Sequence, residues 1–212
     1  MKEIRSEFPR WLEFSGLPEY VNKKIRRGAW SVFKKVVELD CERNIEPGVV
    51  EISLEQLGAR TGLPPDVTEK CLTGLRRKGK LACFIPDNPE EDALVRVVVP
   101  LHTPVSAEEV RSGYSSIFPP GKDFFRYHDT REPSKEQDKT LQEIVDMYFN
   151  SIGLEMNLFI LDELRLIRQR FTLSEIKKVF ELAKRLEIRN LRWVIRQLVY
   201  HKKKHEKEKK ER

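Results

Sequence analysis

The chain has 212 residues, room for one large domain or two small ones, and its 39% hydrophobic and 35% charged residues describe a folded, highly charged protein rather than a disordered one. No apolar run approaches the roughly 20 residues of a membrane helix, and MKEIRSEFPRWLEF at the N-terminus lacks the apolar centre of a signal peptide, so a cytoplasmic protein with no membrane contact is expected. The net charge of +6 is unevenly divided, +11 over residues 165–212 and −5 over the rest, a split that points to a polyanionic partner, nucleic acid first, at the C-terminal end.

Residues 1–27 mix Phe8, Trp11, Phe14 and Tyr20 with the cations Lys23, Lys24, Arg26 and Arg27, and Pro9, Gly16 and Pro18 break the segment into short pieces. An arm is expected, packed against the following unit or against a second copy in a homo-oligomer. From Gly28 the pattern becomes regular: Ala29, Trp30, Phe33, Val36, Val37, Leu39 and Asp40 recur at helical spacing and predict one helix ending near Asn44. Pro47 and Gly48 turn the chain into a short strand at 49–52. Ser53 with Gln56 three residues on has the form of a capping box, predicting a helix that stops at Gly62. Another starts at Pro64-Pro65-Asp66, turns Val67, Cys71, Leu72 and Leu75 inward, carries Arg76, Arg77 and Lys78 in its last turn and closes at Gly79. Two strands, 81–85 and 93–99, follow around a turn rich in Pro, Asn and Asp.

Helix, strand, helix, tight turn, helix and hairpin is the order of a winged helix, expected over 28–100 with its helix-turn-helix at 53–78. Base contacts in such a motif come from the start of the second helix, and here that start offers Asp66, Thr68 and Glu69. The hairpin tip carries Asp87, Glu90, Glu91 and Asp92, and residues 45–100 sum to −2. Arg76, Arg77, Lys78 and Lys80 remain to grip a phosphate backbone. Two readings stay open: a protein-interaction module, or a regulator that reads duplex DNA through Thr68, Lys70 and Thr73.

Periodicity is lost over 101–133, where Pro104, Gly113, Pro119, Pro120, Gly121 and Pro133 predict a linker with one helical turn at 107–111. Within it FFRYHD, residues 124–129, is either a stacking patch or an aromatic cluster docked on a neighbouring domain. Ser134 and Gln137 fit a helix start, and Leu141, Ile144, Val145 and Tyr148 follow at helical spacing until the pattern fades at 150–153. Leu158, Leu161, Leu164 and Ile167 mark another helix. Thr172 and Glu175 form a capping box before Ile176, Val179, Phe180, Ala183 and Leu186 on one face and Lys177, Lys178, Glu181, Lys184 and Arg185 on the other. Asn190 is placed to cap the last helix. The fold class is therefore mainly α, a winged helix followed by an all-α domain over 134–200 and a basic tail over 201–212.

Projected at about 100° per residue, Leu191, Val194, Ile195 and Leu198 form one face of the last helix. Trp193, Arg196, Tyr200, Lys203 and Lys207 fall within about 40° of Arg189 on the opposite side. Aromatics interleaved with cations are what a single-strand platform needs, charge for phosphates and flat rings for bases. Packing of Trp193 or Tyr200 under another segment is the competing reading. The candidate DNA-binding set is Arg189, Arg192, Trp193, Arg196, Tyr200, Lys202, Lys203, Lys204 and Lys207, with Lys177 and Lys178 on the preceding helix and Arg76 and Arg77 in the winged helix.

Over about residues 144–200 the sequence resembles the DnaD family of bacterial primosome components. The carriers are Tyr148 and Phe149 ahead of a Gly turn, the helix through Leu161 and Leu164, FTLSEI with the following VFELAKRLEI, and LRWVIRQL, where Trp193, Val194, Leu198 and Tyr200 fill the family's apolar and aromatic places and Gln197 stands where an aliphatic is usual. The resemblance implies a non-enzymatic role in starting or restarting replication: oligomerising through the winged helix, binding DNA through the C-terminal part and recruiting a replicative helicase or its loader. No P-loop, GxSxG or Gly-rich phosphate cradle stands in the sequence, and no enzyme activity or cofactor is expected. Cys41, Cys71 and Cys83, widely spaced among apolar neighbours, read as structural thiols. His201 and His205 lie in the lysine tail and lack the further ligands a metal wants.

Overall fold

The computed structural model describes residues 8–44, 46–116, 126–128, 135–153 and 155–210, with backbone alone at 135–138, 158 and 203–210. Contacts divide the chain into two compact units, Met1–Arg131 and Glu132–Arg212. The described residues are mainly helical, with one small antiparallel sheet. None of the described helices is long and apolar enough to cross a membrane.

The first unit begins with two short helices, α1 (Trp11–Phe14) and α2 (Leu17–Lys24), joined through Gly16 at φ +69°, a left-handed turn that suits glycine. Trp11, Leu12, Leu17 and Val21 are fully buried in one core with α3 (Ala29–Arg43), whose Val32, Phe33, Val36 and Val37 supply its centre. Strand β1 (Val50–Ser53) leads into α4 (Leu54–Thr61), where the Ser53 hydroxyl accepts the Gln56 amide and Gly62, at φ +70°, ends the helix. Helix α5 (Pro65–Arg77) buries Thr68, Cys71, Leu72 and Leu75. Strands β2 (Leu81–Phe84) and β3 (Asp92–Val97) form a hairpin, and β1 pairs with β3 so that the sheet order is β1-β3-β2, with Val95 opposite both Val50 and Cys83. The strands are shorter than the sequence predicts because Ile85, Val98 and Val99 lie beyond the paired ladder.

Part of the stretch read as linker is built into this unit. Ser106 and Glu109 form a reciprocal capping box, a pattern present in the sequence and overlooked there, and open α6 (Ala107–Gly113), longer than the single expected turn. Leu101, Ala107 and Val110 are buried. Farther along, Tyr127 is fully buried and its carbonyl accepts the Leu101 amide at 2.8 Å. Beside it Arg126 reaches the Asp40 carboxylate at 3.1 Å and the carbonyls of Asp40 and Asn44 at 3.0 and 2.8 Å. Phe124, Phe125 and Asp129 of the FFRYHD cluster lie outside the described residues, as does Ser134 at the expected start of the next helix.

The second unit holds α7 (Lys135–Ser151), α8 (Leu158–Arg170), α9 (Leu173–Arg185) and α10 (Leu191–Lys210). Helix α7 packs on α8 and α9, and α9 on α10. Three helices begin on side-chain caps. Asn157 accepts the Ile160 amide, Thr172 and Glu175 complete a capping box, and Asn190 accepts the Trp193 amide at 3.3 Å. Ile144, Tyr148, Leu164, Leu166, Ile167, Ile176, Val179, Phe180, Ala183, Val194, Ile195 and Leu198 fill the core. Leu186 departs from its expected inward place: it caps the C-terminus of α9, where the helical angle no longer holds it over the core, and is 54% exposed.

Candidate nucleic-acid interface

The expected division of the last helix is present in α10. Leu191, Val194, Ile195 and Leu198 are buried on one side, and Tyr200, on the other, is 62% exposed. Trp193 and Arg196 are half-buried, so the stripe that carries them grades from a sheltered start to an open ring at Tyr200. Residues 193 and 200 are seven positions apart, about 10 Å along the axis. The side chains of Lys203, Lys204 and Lys207 lie outside the described residues, although the backbone there continues the helix.

Arg189 stands differently from its projected place. The helix starts at Leu191, and Arg189, ahead of the Asn190 cap, is exposed and non-helical, so its angle cannot be read from helical geometry. With Arg192 it lines a cleft of about 400 Å³ that also holds Glu155 and Glu163, whose carboxylates share the space with the cations. Tyr148 lines the same cleft and donates its hydroxyl to the Glu155 carbonyl at 2.9 Å; burial raises its pKa, so the ring is held neutral.

Lys202 continues the buried stripe rather than the open one. Its ammonium sits 5.7 Å from the centre of the Phe171 ring, a cation–π contact that covers the buried Phe171. The signal was in the spacing, since residue 202 lies about 400° on from Leu198, close to the same helical angle. Lys177 and Lys178 are exposed on α9.

Arg76 and Arg77 belong to the first unit. Arg76 is half-buried, while Arg77 and Lys78 are exposed at the end of α5. Lys80, grouped with them as a phosphate-gripping cation, is turned inward instead: it is 8% exposed, donates to the His102 carbonyl, lies over the Tyr20 ring, and has its pKa lowered by burial. Thr68 is also unavailable to a ligand. Its hydroxyl is fully buried and donates to the Pro64 carbonyl at 3.0 Å, which ties the first turn of α5 to the turn before it. The exposed face of α5 is Asp66, Glu69, Lys70, Thr73 and Arg77, with Asp66 and Lys70 paired at 3.1 Å.

All three cysteines are buried free thiols, and burial raises the Cys71 pKa against the opposing charge of Arg26. Among the described residues no three His, Cys, Asp or Glu side chains gather as a metal site. Comparison of the chain with protein families, curated proteins and solved structures finds no match.

Proposed function

We propose that the chain is a non-enzymatic DNA-binding accessory factor of replication initiation or restart, which holds DNA without sequence preference through α10. The observation that carries the DNA-binding part is the exposed Tyr200 on the side of α10 opposite its buried stripe, in line with Trp193 and Arg196 and followed by a lysine-rich extension of the same helix. Base stacking is a use for an exposed ring worth about 1–3 kcal/mol per base. The replication role and the helicase or loader partner rest on the resemblance of residues 144–200 to the DnaD family.

In this reading the segment from α3 to β3 is a winged helix that serves mainly protein contacts, including self-association. The order α3-β1-α4-α5-β2-β3 and the β1-β3-β2 sheet support it. The buried Thr68 and the carboxylates Asp66 and Glu69 at the start of α5 favour it over a regulator reading base edges there. A salt titration of binding to single-stranded and duplex oligonucleotides of several sequences tests the whole. The expected result is binding that weakens steeply with salt and varies little with sequence. Binding unchanged after removal of residues 189–212 overturns the assignment to α10.

A further inference from the structure

Two basic clusters that lie about fifty residues apart in the sequence meet on the first unit. The end of α2 brings Lys24, followed by Ile25 and Arg26, against the outer face of α5, which brings Glu69, Lys70, Thr73, Arg77 and Lys78. Together they line a groove of about 690 Å³, with five cations facing a single carboxylate.

Glycine makes the approach possible. A Cβ at Gly74 would lie 2.1 Å from Cγ2 of Ile25, so any other residue would force the Ile25 side chain or the chain that carries it to shift. Glycine inside a helix is destabilising relative to alanine, and the close contact is what that cost obtains.

The groove cations stand out in their lack of partners. In the same unit Lys34 pairs with Glu13, Lys35 with Glu38, Arg126 with Asp40, and Lys80 donates to a carbonyl. The side chains of Lys24, Arg26, Arg77 and Lys78 have no hydrogen bond or ion pair with any described residue, and Nε of Arg26 is buried without an acceptor. Only Lys70 is paired, to Asp66. Like charges held together in a concavity repel one another and raise the local concentration of anions.

We infer that this groove is a second nucleic-acid contact, which takes the phosphodiester backbone and reads no bases. Guanidinium groups from two sides suit phosphate oxygens, and Thr73 adds an exposed hydroxyl. The lining holds no Asn or Gln to read adenine. The contacts therefore position a strand or duplex without selecting it. The inference goes beyond the α10 reading, because the groove lies wholly in the other unit. Each therefore stands or falls separately.

The test is fluorescence anisotropy of the full chain with a labelled single strand and its duplex, across a salt series, for the parent, the double variant Arg77→Ala/Lys78→Ala, and Tyr200→Ala. The groove predicts that the double variant binds at least one oligonucleotide about tenfold or more weakly near 0.1 M salt, with a slope of log affinity against log salt shallower by about 1–2. Tyr200→Ala reports on α10 alone and should leave that slope in place. The charge-keeping pair Arg77→Lys/Lys78→Arg should retain parental binding, which separates lost charge from lost fold. Unchanged affinity and slope in the alanine pair overturn the inference whatever Tyr200→Ala does. A labelled polyglutamate chain is titrated in parallel. If the alanine pair loses polyglutamate while keeping the oligonucleotides, the groove belongs to an acidic protein segment and the inference is overturned.

Discussion

The phenol of Tyr127 donates to the carboxylate of Asp40 across 2.7 Å, and both side chains are sealed from solvent. Arg126 completes the pair from its other side, and Asn44 and the Gly48 amide add donors at 2.7 and 2.9 Å. A short piece of chain 86 residues beyond Asp40 is thus fastened to the end of α3 by a buried ion pair. Removing one partner of such a pair strands the other charge, at a cost of about 3–5 kcal/mol. Losing a single hydrogen bond to a charged group costs about 1.5–3 kcal/mol. Chemical denaturation should therefore rank Arg126→Ala below Tyr127→Phe, and Tyr127→Phe below the parent.

The same phenol makes the first unit sensitive to alkali. Burial, reinforced by the negative charge of Asp40, raises the Tyr127 pKa far above its ordinary 10.0, so the folded chain keeps a proton that the unfolded chain releases. With the folded pKa raised, the contribution is whole below pH 10 and declines as pH rises above it. The slope is about 1.4 kcal/mol per pH unit for one proton. Denaturation at pH 8 and pH 11 should show the advantage of the parent over Tyr127→Phe shrinking at the higher pH. A constant gap would mean that the phenol titrates normally.

Thr172 caps α9 with its hydroxyl while Glu175 returns the bond to the Thr172 amide at 2.7 Å. Thr172→Ala should lower the stability of the second unit by about 1 kcal/mol, and Thr172→Asp should recover most of it. Differential scanning calorimetry reads both.

Such caps were legible in the sequence because they are local: Ser53, Thr172 and Asn190 act within three residues of themselves. The apolar stripe of α10 was legible for the same reason. What joins distant segments was not. Nothing in the spacing of Asp40 and Arg126 announces their pairing, and the place where the cations at 23–27 dock is set by the close approach of Ile25 to Gly74 of α5. Lys80 and Thr68 belong to helical or basic patterns that fit a surface equally well, and only the packing of Tyr20 and Pro64 around them turns them inward.

Tyr200 and Lys202 are two residues apart and should behave oppositely. Tyr200 is exposed and, among the described rings, touches only its neighbour His201, so Tyr200→Ala should leave the melting temperature nearly unchanged and weaken single-strand binding by about 1–3 kcal/mol. Lys202→Ala gives up the contact over Phe171 and should destabilise the second unit by about 0.5–1 kcal/mol. Its effect on binding should be that of one screened charge. Equal losses of binding in the two variants would mean that charge, not stacking, drives the association.

Thr68 separates an accessory factor from a regulator that reads operator sequence. Its hydroxyl is spent on the Pro64 carbonyl and its surface is covered, partly by Gly58, where an added Cβ would come within 3.3 Å of Oγ1. No base edge can reach it without unwinding the first turn of α5. Thr68→Val should accordingly cost about 1 kcal/mol of stability for one lost hydrogen bond, with affinity for every oligonucleotide intact. Thr73 is the informative contrast, being exposed on the same helix one and a half turns on. In a regulator, Thr73→Ala would erase a preference for one duplex of roughly a thousandfold or more over random DNA. In the accessory factor there is no such preference to erase, and the parent and Thr73→Ala should bind matched and scrambled duplexes alike. A competition assay between those duplexes decides the point, because the non-specific term cancels in the ratio and only sequence readout remains.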